Sequence, residues 1–326
     1  MLFGTISLTA SPAFAGGTNI PPGKIKSEEV IHSMPLVPTV QHAGKGARSS
    51  RPNTRNLQYR GGSVERAQKI YLVFWGSQWS NDPNGEASYL QNFYNGLYGA
   101  QDTWSTSTVQ YCQGASYGST SCSSSASFIS HPGSSPLAGV WFDNGAAAPS
   151  SPTQNNLAGE AVNAAGHFGN TSSASNTNVQ YVVATAHGNN MNGFATQWCA
   201  WHSSASSNYG SIAYTNLPYI PDAGYSCGAN FVNAGVAGAL DGVSIVGGHE
   251  YVETVTDPFP NSGWLDRNGE ENADKCIWIS PGTSGGAANL TLSTGTFAVQ
   301  SLWSNNFNGG NGGCAIYYAS ASNQHG

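Results

Sequence analysis

Residues 242–276, GVSIVGGHEYVETVTDPFPNSGWLDRNGEENADKC, bring together side chains whose types and spacing suit metal chemistry. Eight of the chain's seventeen acidic residues lie between positions 241 and 274: Asp241, Glu250, Glu253, Asp257, Asp266, Glu270, Glu271 and Asp274. Arg267 and Lys275 are the only basic residues beside them. Crowded carboxylates repel one another unless a cation sits among them. With so few local bases, a metal ion is the simplest partner.

His249 and Glu253 are four residues apart, so on a helix they share one face, with Glu250 roughly 100° further round the turn. This is the geometry of the zinc helix His-Glu-x-x-His, with Glu in the second ligand position. An imidazole and a carboxylate can hold zinc, and the Glu beside the His can take a proton from water. We expect zinc on His249 and Glu253, a third ligand from Asp274, Glu271 or His202, and an open fourth position for water. Glu250 is then the general base that later hands its proton to the leaving amine, which makes a peptide or protein the substrate. One physical argument opposes this. Two carboxylates on zinc lower its net charge and weaken its power to acidify water.

These side chains need a helix to position them, and the sequence supplies one. Val243, Val246, Tyr251, Val252 and Val255 recur at near-helical spacing with His249, and Pro258 stops the run. The same reasoning predicts strands over 69–75 and 179–185 and helices over 85–99, 153–168 and 241–256. After Cys276, the segments IWIS, NLTLS, TFAVQSLW and CAIYY read as short strands, the last two as a closing hairpin with a long loop. The expected fold class is α+β: a mixed, twisted sheet with a zincin-like (metalloprotease-like) site helix, stabilised by disulfides. His187 and His202 lie near the end of the 179–185 strand, and His202, close to Cys199, is the better ligand candidate.

Charge and composition bound the function further. Nine of the eleven Lys and Arg lie at or before Lys69, and the chain beyond it carries a formal charge of −12. Such a body repels phosphate, which argues against nucleic acid as a partner. Charged residues are only 9% of the chain, a polar but weakly charged composition common in secreted proteins. No apolar run approaches the ~18 residues of a membrane span. Residues 1–15, MLFGTISLTASPAFA, read as a truncated signal peptide ending in a small-x-small cleavage site before Gly16. Residues 16–56 are basic and rich in Pro, Gly and Ser. They read as a flexible arm or pro-segment of opposite charge to the body. Residues 57–326 form a single domain, expected to be monomeric. Six cysteines in a secreted chain suggest three disulfides; Cys112 pairs with Cys122 across a polar loop, while spacing leaves the pairing of Cys199, Cys227, Cys276 and Cys314 open.

Two other function classes compete. DRNGEENAD, residues 266–274, has the carboxylates and turn glycine of a hard-cation loop, so a calcium-stabilised, non-catalytic extracellular module is the alternative. A carboxylate-pair glycosidase is a third reading.

Three blocks carry a resemblance: LQYRGGSVERAQKIYLVFWGSQW, VQYVVATAHGNNMNGFATQWCAWHS, and DGVSIVGGHEYVETVTDP followed by EENADKC. In order and rough spacing they resemble the EXORDIUM family, the phosphate-induced extracellular proteins of plants and their bacterial relatives. The match spans residues 57–276, and the segments between the blocks are richer in Ser and Asn here. The resemblance implies a secreted, wall- or medium-located protein. It implies no particular reaction, so the hydrolase expectation rests on the residues alone.

Overall fold

The computed structural model describes residues 25–27, 31–38 and 56–317. The expected leader and its cleavage site, with most of the basic arm, lie outside the described residues. Strands, in chain order, are β1 (Lys26–Ser27), β2 (His32–Met34), β3 (Gln58–Tyr59), β4 (Lys69–Trp75), β5 (Cys112–Gln113), β6 (Ser127–Phe128), β7 (Leu137–Asp143), β8 (Val179–Thr185), β9 (Ala200–Ser207), β10 (Gly210–Leu217), β11 (Trp264–Leu265), β12 (Ala288–Leu292), β13 (Gly295–Val299), β14 (Leu302–Ser304) and β15 (Gly313–Ala315). The principal helices are α1 (Glu86–Gly96), α2 (Gln154–His167) and α3 (Asp241–Thr256).

The main sheet has seven strands in the order β1-β9-β10-β8-β4-β7, with β2 also on β9. Strands β7, β4, β8 and β10 run parallel, because helix-bearing crossovers join β4 to β7 and β7 to β8. β9 and β10 form an antiparallel hairpin, so β9 runs against the rest of the sheet. Every residue of β8 is buried, as its unbroken run VQYVVAT requires of a strand covered on both faces.

Every residue of α3 is buried as well, which makes it an internal helix. Gly247 and Gly248 weaken a helix, yet they permit close neighbours here. A Cβ on Gly247 would stand 2.9 Å from the Tyr94 hydroxyl, and one on Gly248 would stand 3.0 Å from the Trp104 ring. Tyr94 Oη uses that closeness to donate to the Gly247 carbonyl at 3.1 Å. The glycine pair thus lets α1 and the Trp104 turn press directly on the site helix.

The mixed α+β architecture and the mixed sheet agree with the sequence reading, and the three helices match the expected ones to within a few residues at their ends. Three disulfides form, Cys112–Cys122, Cys199–Cys227 and Cys276–Cys314, and no described cysteine is free. Residues 277–280, expected as a strand, instead leave a short turn of 3-10 helix, with Trp278 in the left-handed region at φ 51°. Trp278 packs on Phe231 and donates to the Pro35 carbonyl at 2.7 Å, so tertiary contacts override the apolar pattern. The closing hairpin is β14 with β15, as TFAVQSLW breaks into β13 and β14 at Gln300. The stretch expected as a flexible spacer contributes β1 and β2, both antiparallel to β9.

Candidate metal centre

Helix α3 supplies three members of the site from one turn and a half. His249 Nε2 lies 3.2 Å from Glu253 Oε1, as an i, i+4 pair should. Asp274 arrives from the turn after the acidic loop, its Oδ1 3.6 Å from His249 Nε2. That turn is tied down twice: the Asp274 amide donates to Glu253 Oε1 at 2.9 Å, and Cys276 is joined to Cys314. β9 contributes His202, whose Nε2 lies 2.8 Å from Glu271 Oε2 and 3.7 Å from Glu253 Oε2. The Cys199–Cys227 bridge fastens the start of β9 to the segment preceding α3.

Three overlapping sets of ligand atoms lie within 4.8 Å of one another: His249, Glu253 and Asp274; His202, Glu250 and Glu253; and His32, Glu271 and Asp274. All six residues named from the sequence, His202, His249, Glu250, Glu253, Glu271 and Asp274, therefore fall in one cluster. His187 does not join it; its Nδ1 meets Asp222 Oδ1 at 2.5 Å.

Geometry divides the eight acidic residues of the stretch. Asp241 accepts from the amides of Val232 and Asn233, and Asp257 from those of Asn261, Ser262 and Gly263. Asp266 accepts from the Asn268 and Glu270 amides and from Lys275 Nζ at 3.1 Å. These are carboxylates with internal donors. In contrast, both oxygens of Glu250, Oε2 of Glu253 and Oε1 of Glu271 are buried without a hydrogen-bond partner. His249 Nε2 is in the same condition, because its approach to Glu253 lacks hydrogen-bond alignment. Buried polar atoms are normally paired, so these atoms make the cluster a candidate for binding a further group.

Gln300 fixes which face of the His249 ring is available. Its Nε2 donates to the Ala273 and Ser301 carbonyls at 2.8 and 3.2 Å, which leaves Oε1 facing His249 Nδ1 at 3.0 Å. Nδ1 must therefore carry the proton, and in the neutral ring the Nε2 lone pair points into the cluster. This is how ligating histidines are held.

The electrostatics call for positive charge. Burial pulls the His249 ring down, but Glu253, Glu250 and Asp274 outweigh it and push it up to about 10. Burial likewise opposes His202, which Glu271, Glu250 and Glu253 push up to about 9. Glu250 rises to about 8, mainly through burial and then through its carboxylate neighbour Glu253, against the pull of His249. Burial and then Glu253 raise Asp274 to about 7. Glu271 moves the other way: His202 and His32 overcome its burial and hold it well below the usual range.

Two participants escape a reading of the sequence. Gln300 sits between two strand-like segments and carries no charge. His32 lies in the arm, with Nδ1 3.0 Å from Glu271 Oε2. The signal that points to it is the alternation of His32, Met34 and Leu36 in IHSMPLV, the pattern of a half-buried strand. Among the described residues no helix is long and apolar enough to cross a membrane. Compared with known proteins, the chain matches no family model, no curated protein and no solved structure.

Proposed function

We propose that the protein is a secreted, metal-dependent hydrolase of peptide bonds, with zinc held by His249 Nε2, Glu253 and Asp274. The observation that carries this reading is the convergence of those three groups, with the His249 lone pair aimed among buried carboxylate oxygens that have no internal donor. Histidine is a good ligand for zinc and a poor one for calcium, so a site built around His249 favours zinc. In the acidic loop, by comparison, Asp266 already has Lys275 for its cation.

The ion supplies Lewis-acid activation of water and of the scissile carbonyl. Glu250, next to His249 and with both carboxylate oxygens uncommitted, takes the proton from the attacking water. It then returns that proton to the departing amine nitrogen. His202, hydrogen-bonded to Glu271 and 3.7 Å from Glu253 Oε2, would balance the carboxylate charge beside the ion's ligands. Asp274 keeps 21% side-chain exposure while His249, His202 and Glu253 have almost none, so the approach to the ion lies on the Asp274 side. The three disulfides fit an oxidising, extracellular setting, which is also what the EXORDIUM-like blocks imply.

Metal content and peptide hydrolysis of the wild type and Glu250→Gln test the reading together. We expect one equivalent of zinc in both proteins and a fall in kcat of about 10²–10⁴-fold in the variant. Zinc-free wild-type protein that takes up no zinc on addition would end it.

A further inference from the structure

Strand β9 carries His202 into the site, and its outer edge runs beside that site. In the structure the chain covers this edge with its own arm. β1 pairs Lys26 and Ser27 with Ser206 and Ala205; β2 pairs His32, Ser33 and Met34 with His202, Trp201 and Ala200. The contact continues past β2. The Cys199 amide donates to the Met34 carbonyl at 2.8 Å, Trp278 Nε1 to the Pro35 carbonyl at 2.7 Å, and the Val37 amide to the Ser226 carbonyl at 2.9 Å. Side chains alternate along such a strand, so His32 and Met34 point inward and Ser33 outward. Met34 is completely buried, and Ser33 is exposed. His32 reaches the cluster itself, bound to Glu271, with its ring centroid 5.8 Å from that of His202.

Accessibility shows what this arrangement does. Of the histidines and carboxylates in the three ligand sets, His32 and Asp274 retain 13% and 21% side-chain exposure, while His202, His249, Glu253 and Glu271 retain 0–1%. His32 is thus one lip of the opening beside Asp274. The arm runs where an approaching substrate would have to lie.

We infer that β1 and β2, with the residues up to Val37 that follow β2, are an internal stand-in for the substrate: they hold the site closed, and their departure opens the β9 edge to an extended peptide that binds antiparallel with an apolar side chain in the Met34 pocket. Main-chain pairing to an exposed sheet edge gives affinity without regard to sequence, and pockets for alternate side chains add selectivity. The consequence for catalysis rests on the metal-dependent hydrolase reading above; the docking edge itself does not.

The test uses the full chain carrying Met34→Asp, which places a charge in a closed apolar pocket and expels the arm, with His32→Ala as a milder second variant. The probe is a fluorescent synthetic peptide of residues 31–38, IHSMPLVP. We expect it to bind the Met34→Asp protein at least tenfold more tightly than the wild type, whose edge is occupied. We also expect hydrolysis of an unstructured peptide to rise at least tenfold in Met34→Asp, and the probe to suppress it. His32→Ala should hydrolyse faster than the wild type with its zinc retained; loss of zinc would make His32 a permanent ligand and overturn the inference. Should Met34→Asp melt far below the wild type, Met34→Ala takes its place in the same assays. Probe binding with no zinc and no hydrolysis would sink the hydrolase reading and leave the docking edge standing. Equal hydrolysis by all forms, with no probe binding, would sink the inference and leave the hydrolase standing.

Discussion

Asp266 and Glu250 belong to one acid-rich stretch, both are fully buried, and the fold treats them in opposite ways. Asp266 sits in a closed arrangement. Burial alone would raise it, but the Asn268 amide and Lys275 overcome that and hold it below its ordinary value. Lys275 in turn lies 4.3 Å above the Trp303 ring, a second favourable contact for the same charge. Glu250 has no donor on either oxygen and is pushed up to about 8. A buried carboxylate without a donor is costly, and folds retain few of them. The closed arrangement supplies its own cation from the chain. The open one sits among other carboxylates and two histidines that those carboxylates push up, and on the proposed reading a metal from outside takes the place of the protons these histidines would carry. Charge counting along the sequence sees the two as one cluster; hydrogen-bond accounting separates them.

The largest effect that separates the regions is on the metal. His249→Ala removes the lone pair at the centre of the first ligand set and should abolish both zinc binding and hydrolysis. Gln300→Ala keeps that ring but frees its orientation, and losing such an outer partner weakens metal binding by about 10–100-fold. Direct ligand loss must exceed that. Zinc titration by calorimetry should therefore rank wild type, Gln300→Ala and His249→Ala in falling affinity. Equal affinity for wild type and His249→Ala would mean that the open cluster is merely a network of ion pairs.

The ranking also shows what the sequence made legible. Spacing alone places His249 and Glu253 together, because a helix fixes i and i+4 whatever surrounds it, and the observed 3.2 Å follows. Helix ends were legible too: Thr153 caps α2 in a capping box with Asn156, and Pro258 lies just beyond α3. Gln300 was not, since an uncharged residue announces nothing until its carbonyl partners are in place. His32 was not, because the alternation in IHSMPLV announces a half-buried strand but cannot say which distant strand it pairs with, and β9 lies far along the chain. Residues 277–280 misled for the same reason. Ile277, Trp278 and Ile279 look like a strand, yet the Cys276 bridge and the Trp278 contacts with Phe231 and Pro35 decide the backbone.

A middle-sized effect tests the closed arrangement. Lys275→Met preserves much of the stem that packs on Trp303 and removes the charge, leaving Asp266 buried without its lysine partner. Breaking a buried pair from one side costs about 3–5 kcal/mol. Urea denaturation should show a loss of that order, while zinc affinity stays at the wild-type level. A variant of unchanged stability, or one that loses zinc in proportion, would erase the distinction between the two regions.

The smallest effect concerns Glu160 on α2, which checks whether any orphaned carboxylate would have served as the criterion. Glu160 is 3% exposed, its Oε1 has no partner, and its Oε2 accepts only a long bond from Asn163 at 3.4 Å. Burial first, and then the neighbouring Asp143, push it up to about 8, and Asp143 also acts on His167. Among the described residues Glu160 belongs to none of the convergent ligand sets, so a proton is the expected partner for its oxygen. The sign follows from linkage. A folded value of about 8, above the ordinary 4.5, means the native state keeps a proton that the unfolded chain releases. The stabilisation is full below pH 4.5, declines as pH rises, and is gone near pH 8. The slope in between is at most about 1.4 kcal/mol per pH unit. Glu160→Gln is neutral in both states and should lose this component. The stability difference between wild type and variant, measured by urea denaturation from pH 5 to 8, should therefore shift in the variant's favour as pH rises. Zinc should leave that difference unmoved. If zinc flattened it, Glu160 would be linked to the metal, and the line between proton-satisfied and metal-satisfied carboxylates would have to be redrawn.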